Sequence, residues 1–297
     1  MHKTTLEFLK AGLQTRIQDM GRPNHRAQGV SIGGALDQSS ATTANRITGN
    51  DPGSPVLEIT ILGPGIQFTG DACLITITGA DMSPTLDGKQ VEMYKPIRVA
   101  PNSILAFGRL KSGCRGYIAV RGNWQVRRWL DSASATFQDL PEITPDSFIA
   151  KGGLIDILHS GKFTEDMDLR PDIPLFSEHQ IIRVLPGPEI EMFSQKALDT
   201  FFALTHTITP ASNRWGYRLS SHIPMQNPGQ EIISSGVFPG TIQITHSGAP
   251  IILMADAQTT GGYPRIAVVM SADMDKLAQA KPGDALSFRL VEQREAI

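Results

Sequence analysis

Cys73-Leu-Ile-Thr-Ile-Thr78, the turn Leu86-Asp-Gly-Lys89, and the runs Ser103-Ile-Leu-Ala-Phe107 and Gly116-Tyr-Ile-Ala-Val120 decide the fold class. Each run is short, rich in β-branched and aromatic residues, and bounded by Gly, Pro, Asn or Asp, which is the pattern of strands and turns. Asp87-Gly88 is a strong hairpin signal, because a two-residue type I′ turn needs positive φ at both positions. The chain reads as mainly β. Two stretches depart from this: Asp37 is placed to cap a helix carrying Ala41, Ala44 and Ile47, with Gly49 as its left-handed terminator. After Pro188, the positions Phe193, Ala197, Phe201 and Leu204 form one face of a second helix. Both helices are expected to cover an open barrel end.

At 297 residues the chain has room for two β-rich domains with real cores. The stretch Gly161 to Pro174 mixes charge and proline with little periodicity and reads as a linker, giving domains 1–170 and 171–297. Two local echoes join the halves: Gly29-Val-Ser-Ile-Gly33 beside Gly236-Val-Phe-Pro-Gly240, and Pro101 to Phe107 beside Pro282 to Phe288. They fit two related barrels, and common turn chemistry produces such matches as well.

The 27 Lys and Arg nearly cancel the 29 Asp and Glu, and no basic run is interleaved with aromatics, so a nucleic-acid footprint is missing. Cys73 and Cys114 are the only cysteines and sit in apolar, strand-like surroundings, against both a disulfide framework and a Cys-based metal site. The histidines are scattered with no paired spacing, so no catalytic metal is expected. With no apolar signal segment and no run long enough to span a bilayer, the expected home is the cytoplasm. No Walker-type phosphate loop occurs.

Polar chemistry concentrates in three places. In Asp256-Ala-Gln-Thr-Thr-Gly-Gly-Tyr-Pro-Arg265, Gly261 and Gly262 let a ligand approach the backbone, Tyr263 and Pro264 stiffen the exit, and Asp256, Gln258, Thr259, Thr260 and Arg265 supply donors and acceptors. An ordinary glycine-rich hairpin would use the same residues. Near the N-terminus, Gln18, Asp19 and Arg22 follow a strand beside Gly21. Arg22 is a candidate to fork onto a carboxylate or phosphate, with Asp19 either holding that guanidinium or taking a proton from substrate; a structural pair closing a turn is the alternative. In Ser212-Asn-Arg-Trp-Gly-Tyr-Arg218, Arg214 and Arg218 flank an aromatic pair and are candidates to grip an anion, or to form a salt bridge at a barrel rim. Gln243 alternates with Ile242 and Ile244 and lines either the interior or the surface. Gly29-Val-Ser-Ile-Gly33 matches a nucleophile elbow, but no apolar strand precedes it, so Ser31 is a poor serine-hydrolase candidate.

Taken together, these clusters resemble the family of Kip antagonists and C-type subunits of 5-oxoprolinase, once called allophanate hydrolase subunit 2 and similar to part of the carboxyltransferase region of urea carboxylase. The resemblance spans nearly the whole chain. It rests on Gln18-Asp-Met-Gly-Arg22, Gly33-Gly-Ala-Leu-Asp37, Leu57-Glu-Ile-Thr60, Pro186-Gly-Pro-Glu189, Arg214-Trp-Gly-Tyr-Arg-Leu219, Gly240-Thr-Ile-Gln243 and Gln258-Thr-Thr-Gly-Gly-Tyr-Pro264. It implies two cyclophilin-like β-barrel domains and, as partner in a hetero-oligomer, a kinase-inhibitor-like companion of the B type. With a third subunit, that unit opens 5-oxoproline to glutamate at the expense of ATP. On this reading Asp19, Arg22 and Asp256 are the catalytic candidates, and Gln18, Arg214, Arg218, Gln243, Gln258, Thr260, Gly261, Gly262 and Tyr263 bind substrate.

Two other functions stay open. One is a non-enzymatic regulator that binds a kinase-inhibitor-like partner. The other is a biotin-dependent carboxyltransferase acting on a urea-like amide, with biotin supplied from elsewhere because the Ala-Met-Lys-Met acceptor is absent from the chain. The sequence departs from the family at Leu130-Asp-Ser-Ala-Ser-Ala135, where Leu-Gly-Ser-Arg-Ser-Thr is common, at Pro145 to Gly153, and at Asn24 and His25. If the family arginine contacts phosphate or a substrate carboxylate, Ala133 is expected to weaken or redirect binding.

Overall fold

The computed structural model describes residues 1–136, 140–161, 172–225 and 232–292. The chain is mainly β with few helices, as the strand-and-turn pattern predicts. Its packing divides it into two units: Met1–Arg22 with Gly33–Phe176, and Pro23–Ile32 with Ser177–Ile297. The expected boundary between 170 and 171, and most of the stretch read as a linker, lie outside the described residues.

In the first unit a seven-stranded sheet runs in the order Asn123–Trp124, Leu154–His159, His2–Lys10, Gly65–Gly70, Ile104–Phe107, Pro84–Leu86, Lys89–Gln90. A five-stranded sheet runs Gln14–Gln18, Val56–Thr60, Ser112–Val120, Cys73–Asp81, Ile97–Val99. Leu6, Phe8, Ile66 and Phe68 from the first sheet and Ile17, Leu57, Ile59, Ile75, Ile77 and Ile118 from the second share one core, each nearly inaccessible. Full burial of each such side chain stabilises by roughly 1.5–3 kcal/mol.

The five-stranded sheet is buried on both faces because strand residues alternate. Ile118 and Val120 enter that core, while Tyr117 and Ala119 face a second cluster formed with Ala35, Ala41 and Ala44. The two alanines at 41 and 44 belong to helix α1, Gln38–Thr48, whose ends follow the predicted chemistry: Asp37 accepts from Ser40 N and Gly49 takes φ 75°. Asp87 and Gly88 have φ 50° and 76°, the paired positive values of the expected hairpin turn. Both cysteines are buried, and burial pushes the Cys73 thiol up to about 12.

The second unit carries a seven-stranded sheet ordered His206–Thr207, Ala285–Leu290, His179–Pro186, Arg265–Val269, Thr241–Ile244, Pro250–Leu253, Gly216–Arg218, and a two-stranded ribbon of Ser235–Gly236 with Thr260–Gly261. Helix α2, Gln195–Ala203, buries Ala197 and Phe201, and Phe201 stacks on Phe288 with centroids 4.8 Å apart. Leu204 does not extend that face: it is the C-cap residue in extended conformation, 39% exposed.

The echo of Pro101 with Pro282 is a shared turn. Asn102 and Gly283 both have positive φ, Ser103 N donates to Ala100 O, Asp284 N donates to Lys281 O, and a strand follows each. The strands then pair differently. Ile104–Phe107 is antiparallel to Gly65–Gly70, whereas Ala285–Leu290 is parallel to His179–Pro186. Among the described residues no helix is long and apolar enough to cross a membrane.

Candidate functional site

In the first unit the quoted motifs converge on the turn that ends strand Gln14–Gln18. Asp19 is 5% exposed and its carboxylate accepts from four groups: Gly21 N at 2.8 Å, Ser132 Oγ at 2.6 Å, Ala133 N at 2.7 Å and Ser134 Oγ at 2.6 Å. Ser134 Oγ also accepts from Asp19 N at 2.9 Å, and Ala35 N donates to Asp19 O. Gly34, at φ +83°, lies so close that a Cβ would sit 2.8 Å from Gly21 N, which explains the glycine. Two residues on, Leu36 N donates to Glu58 Oε2, which also accepts from Tyr117 OH at 2.9 Å.

Arg22 lies against the same loop. Its Nε donates to Trp129 O at 3.0 Å and its Nη2 to Ser134 O at 2.6 Å, with the guanidinium carbon 5.1 Å from the Trp129 ring. The expected role of Asp19 as holder of the Arg22 guanidinium is therefore corrected. Both grip the segment 129–134, the acid through its donors and the arginine through its carbonyls. Arg128, 46% exposed at its side chain, approaches Asp19 Oδ2 at 3.9 Å.

Ser132 and Ser134 turn their side chains to Asp19, and Ala133 between them is fully buried in the apolar core with Leu6 and Ile17. Only its backbone N–H reaches Asp19, so in this chain the position is a core position.

Gln18 behaves unlike its neighbours. It pairs with Val56 in the sheet, is 0% exposed, and neither Nε2 nor Oε1 has a hydrogen-bond partner among the described residues.

In the second unit the late loop and the remaining motifs also meet. Arg214 forks onto Asp256, Nε to Oδ2 and Nη2 to Oδ1, both at 2.8 Å. Arg218 is exposed on its strand while Tyr217 points inward, its hydroxyl donating to Ala280 O at 3.1 Å. The two arginines therefore do not form the matched grip that their spacing invites, because strand alternation and the Asp256 pair separate them.

Gln243 is buried rather than solvent-facing. Its Nε2 donates to Tyr263 O at 3.2 Å and stands 2.7 Å from where a Cβ on Gly261 would lie. Arg265 forks onto Glu189, Nε to Oε2 at 2.6 Å with Nη2 on Oε1, and gives Nη1 to Gly236 O. That fork outweighs burial and holds the Glu189 carboxyl below the usual range. Gln258, Thr260 and Tyr263 are exposed, and Gly261 and Gly262 half-buried.

Ser31 lacks the setting of a nucleophile elbow. The 3-10 helix Pro23–Gln28 precedes it, and α1 begins only at Gln38. A concavity of the first unit lined by Asn50, Arg121, Leu158 and His159 contains none of the catalytic or substrate-binding candidates. Sequence reasoning missed Ser132 and Ser134 as partners of Asp19, and Glu189 as partner of Arg265. The Ser-x-Ser spacing was a usable signal, since alternate residues share a face.

Residues 28–290 match the family model described as carboxyltransferase domain, subdomain A and B. The chain belongs to this carboxyltransferase domain family. It is 35% identical over 299 residues to the C-type subunit of 5-oxoprolinase from Escherichia coli (strain K12), covering 98% of this chain and 93% of that protein. It is 33% identical to the urea amidolyase of Saccharomyces cerevisiae over 96% of this chain, which is 16% of that protein. Among solved structures, the K. lactis urea amidolyase superposes with TM-score 0.89 at 27% identity, covering 100% of this chain and 19% of the other. In both urea amidolyases the carboxyltransferase-family region matched here is a minor part of the whole.

Proposed function

We infer that this chain is the C-type subunit of an ATP-dependent 5-oxoprolinase, opening the lactam of 5-oxoproline to glutamate together with a kinase-inhibitor-like B-type companion and a third subunit, in the cytoplasm. The observation that carries this reading is the similarity to the C-type 5-oxoprolinase subunit along almost the full length of both proteins. Opening an unstrained lactam requires negative charge to develop on a stable amide carbonyl, and donors must meet it there. ATP, bound at the level of the complex, supplies the driving force.

Within this scheme Asp19, Arg22, Arg214 and Asp256 act as positioning residues, because each is bound by protein groups within its own unit. Substrate contact falls to the second unit, to the exposed Gln258, Thr260 and Tyr263, the half-buried Gly261 and Gly262, and Arg218, because the Gln18 side chain of the first unit is inaccessible. The full chain mixed with its two companion subunits, 5-oxoproline and ATP is expected to release glutamate. No release at saturating concentrations would count against the reading.

A second reading, a carboxyltransferase on a urea-like amide, is favoured by the similarity to urea amidolyase. It needs a biotinylated carrier, and its test is loss of the carboxyl group from carboxybiotin. The internal saturation of Asp19 and Asp256 favours a third, a regulator that binds the kinase-inhibitor-like partner without chemistry. Capture of that partner with no glutamate release distinguishes it.

A further inference from the structure

One cleft of the first unit shares no residue with the Asp19 turn. Its volume is about 580 Å³, in the range of small-molecule sites, and Gly49, Asn50, Arg121, Leu158, His159 and Ser160 are among its walls. No carboxylate belongs to the lining, and Arg121 is its permanently charged side chain. His159 is held neutral. Its Nδ1 accepts from Gly161 N at 3.2 Å, and its Nε2 donates to Thr4 Oγ1 at 3.0 Å, because that hydroxyl gives its own proton to Asp71 O. Burial and the neighbouring His2 lower the His159 pKa against the pull of Asp71, in keeping with that tautomer.

Arg121 is presented with its donors unspent. The residue is half-buried, its guanidinium lies against Gly49, where a Cβ would stand 3.3 Å from Nη1, and it makes no hydrogen bond or ion pair among the described residues. The C-terminus of α1, which Gly49 closes, carries partial negative charge that attracts the cation without consuming its N–H groups. One carboxamide clamps the backbone on both sides of Arg121: Asn50 Nδ2 donates to Val120 O at 2.9 Å, and Asn50 Oδ1 accepts from Gly122 N at 3.1 Å. Arg121 N itself donates to Leu74 O. The base of the side chain is thus fixed while a fork of N–H donors stands in the cleft wall.

We propose that this cleft binds a small monocarboxylate with an apolar body, its carboxylate forked by Arg121 and its carbons packed on Leu158. A guanidinium fork matches two carboxylate oxygens, and one cation neutralises one carboxylate. A phosphate monoester, at about −1.5 to −2 near neutral pH, brings further charge that no second lining side chain meets. The exposed Ser160 hydroxyl, without a hydrogen-bond partner among the described residues, is a further donor to the acid. The polar atoms of Asn50 and His159 are engaged within the protein, and the rest of the wall is Leu158, Met1 and two glycines, so the carbons of the ligand meet apolar surface.

The full chain, without companion subunits, is titrated with 3-phenylpropionate, its neutral amide, phenyl phosphate and acetate, followed by NMR of the ligands and of the His159 ring. Wild type is expected to bind 3-phenylpropionate about tenfold or more tightly than the amide, and more tightly than phenyl phosphate or acetate, with the His159 resonances moving on binding. Arg121→Met, which keeps the aliphatic stem, is expected to bind acid and amide alike, and Arg121→Lys, a point charge without the fork, to keep part of the preference.

A wild-type chain that does not distinguish acid from amide overturns the assignment, as do His159 resonances that stay in place or an Arg121→Met chain that keeps the preference. Tighter binding of phenyl phosphate overturns the choice of a carboxylate. If Arg121→Met does not fold, the wild-type comparison of acid with amide and the His159 shifts decide.

Discussion

Arg214 and Asp256 are joined by two parallel hydrogen bonds of 2.8 Å, and both residues are almost inaccessible. Removing one partner strands a charge in the interior. Arg214→Met or Asp256→Asn alone is expected to cost about 3–5 kcal/mol, whereas the two together should cost much less than the sum. Urea unfolding, with hydrogen exchange resolving the second unit, checks this. Asp256→Ala is consequently a stability variant first, and its effect on activity is interpretable only beside a folding measurement.

The Ser132-Ala133-Ser134 cradle should behave as a unit with Asp19. Ser134→Ala removes one bond to the carboxylate and one from Asp19 N, and should cost about 1–3 kcal/mol. Asp19→Asn should cost at least as much, because an amide nitrogen must face N–H and O–H donors. A shift in the fluorescence of Trp129, which the Arg22 guanidinium overlies, would report the loosened loop.

Gly261 and Gly262 should differ. A methyl at 261 meets Gln243 Nε2 at 2.7 Å and displaces the amide from Tyr263 O, while one at 262 meets Ile232 O and Ser234 Oγ at 3.3 and 3.4 Å. Gly261→Ala is expected to destabilise by about 1–2 kcal/mol, the order of one lost hydrogen bond with its unpaired partner, and Gly262→Ala by less. Shortening Gln243 to Ser should relieve much of the cost at 261, a coupling that a double-mutant cycle would read as thermal shifts.

Acid sensitivity has a named contributor. Burial raises the Asp273 carboxyl, but hydrogen bonds from Arg183 and Lys276 outweigh it and bring the value from 3.8 down to about 2. Because the folded value is the lower one, its contribution is complete above 3.8 and disappears as pH falls through about 2. The contribution is ~2 kcal/mol. Asp273→Asn should therefore unfold more easily than wild type near neutrality and match it at the acid end of a pH series of denaturant midpoints.

What could be read from the chain was local. Asp37 and Gly49 announce α1 because cap chemistry involves residues within one turn, and Asp87-Gly88 announces its hairpin because both residues tolerate positive φ. Leu204 was misplaced on the α2 face because periodicity does not say where a helix stops. The site was legible as a set of polar residues but not as pairs: Asp256 lies 42 positions from Arg214, Glu189 76 from Arg265, and Ser134 115 from Asp19. Spacing carries no information about such partners, since the strand order that joins them is set by tertiary packing. Gln243 shows the same limit, because alternation fixes that it opposes Ile242 and leaves open which face of the sheet is covered.

The two buried cysteines make this chain convenient for spectroscopy. Thiol reagents attack the thiolate, of which Cys73, pushed up to about 12, offers almost none at neutral pH, and Cys114 is shielded by burial. A cysteine introduced at exposed Gln258 would therefore be the one site that a maleimide dye modifies in the folded chain, placing a fluorophore at the rim of the double-glycine loop without removing either native residue.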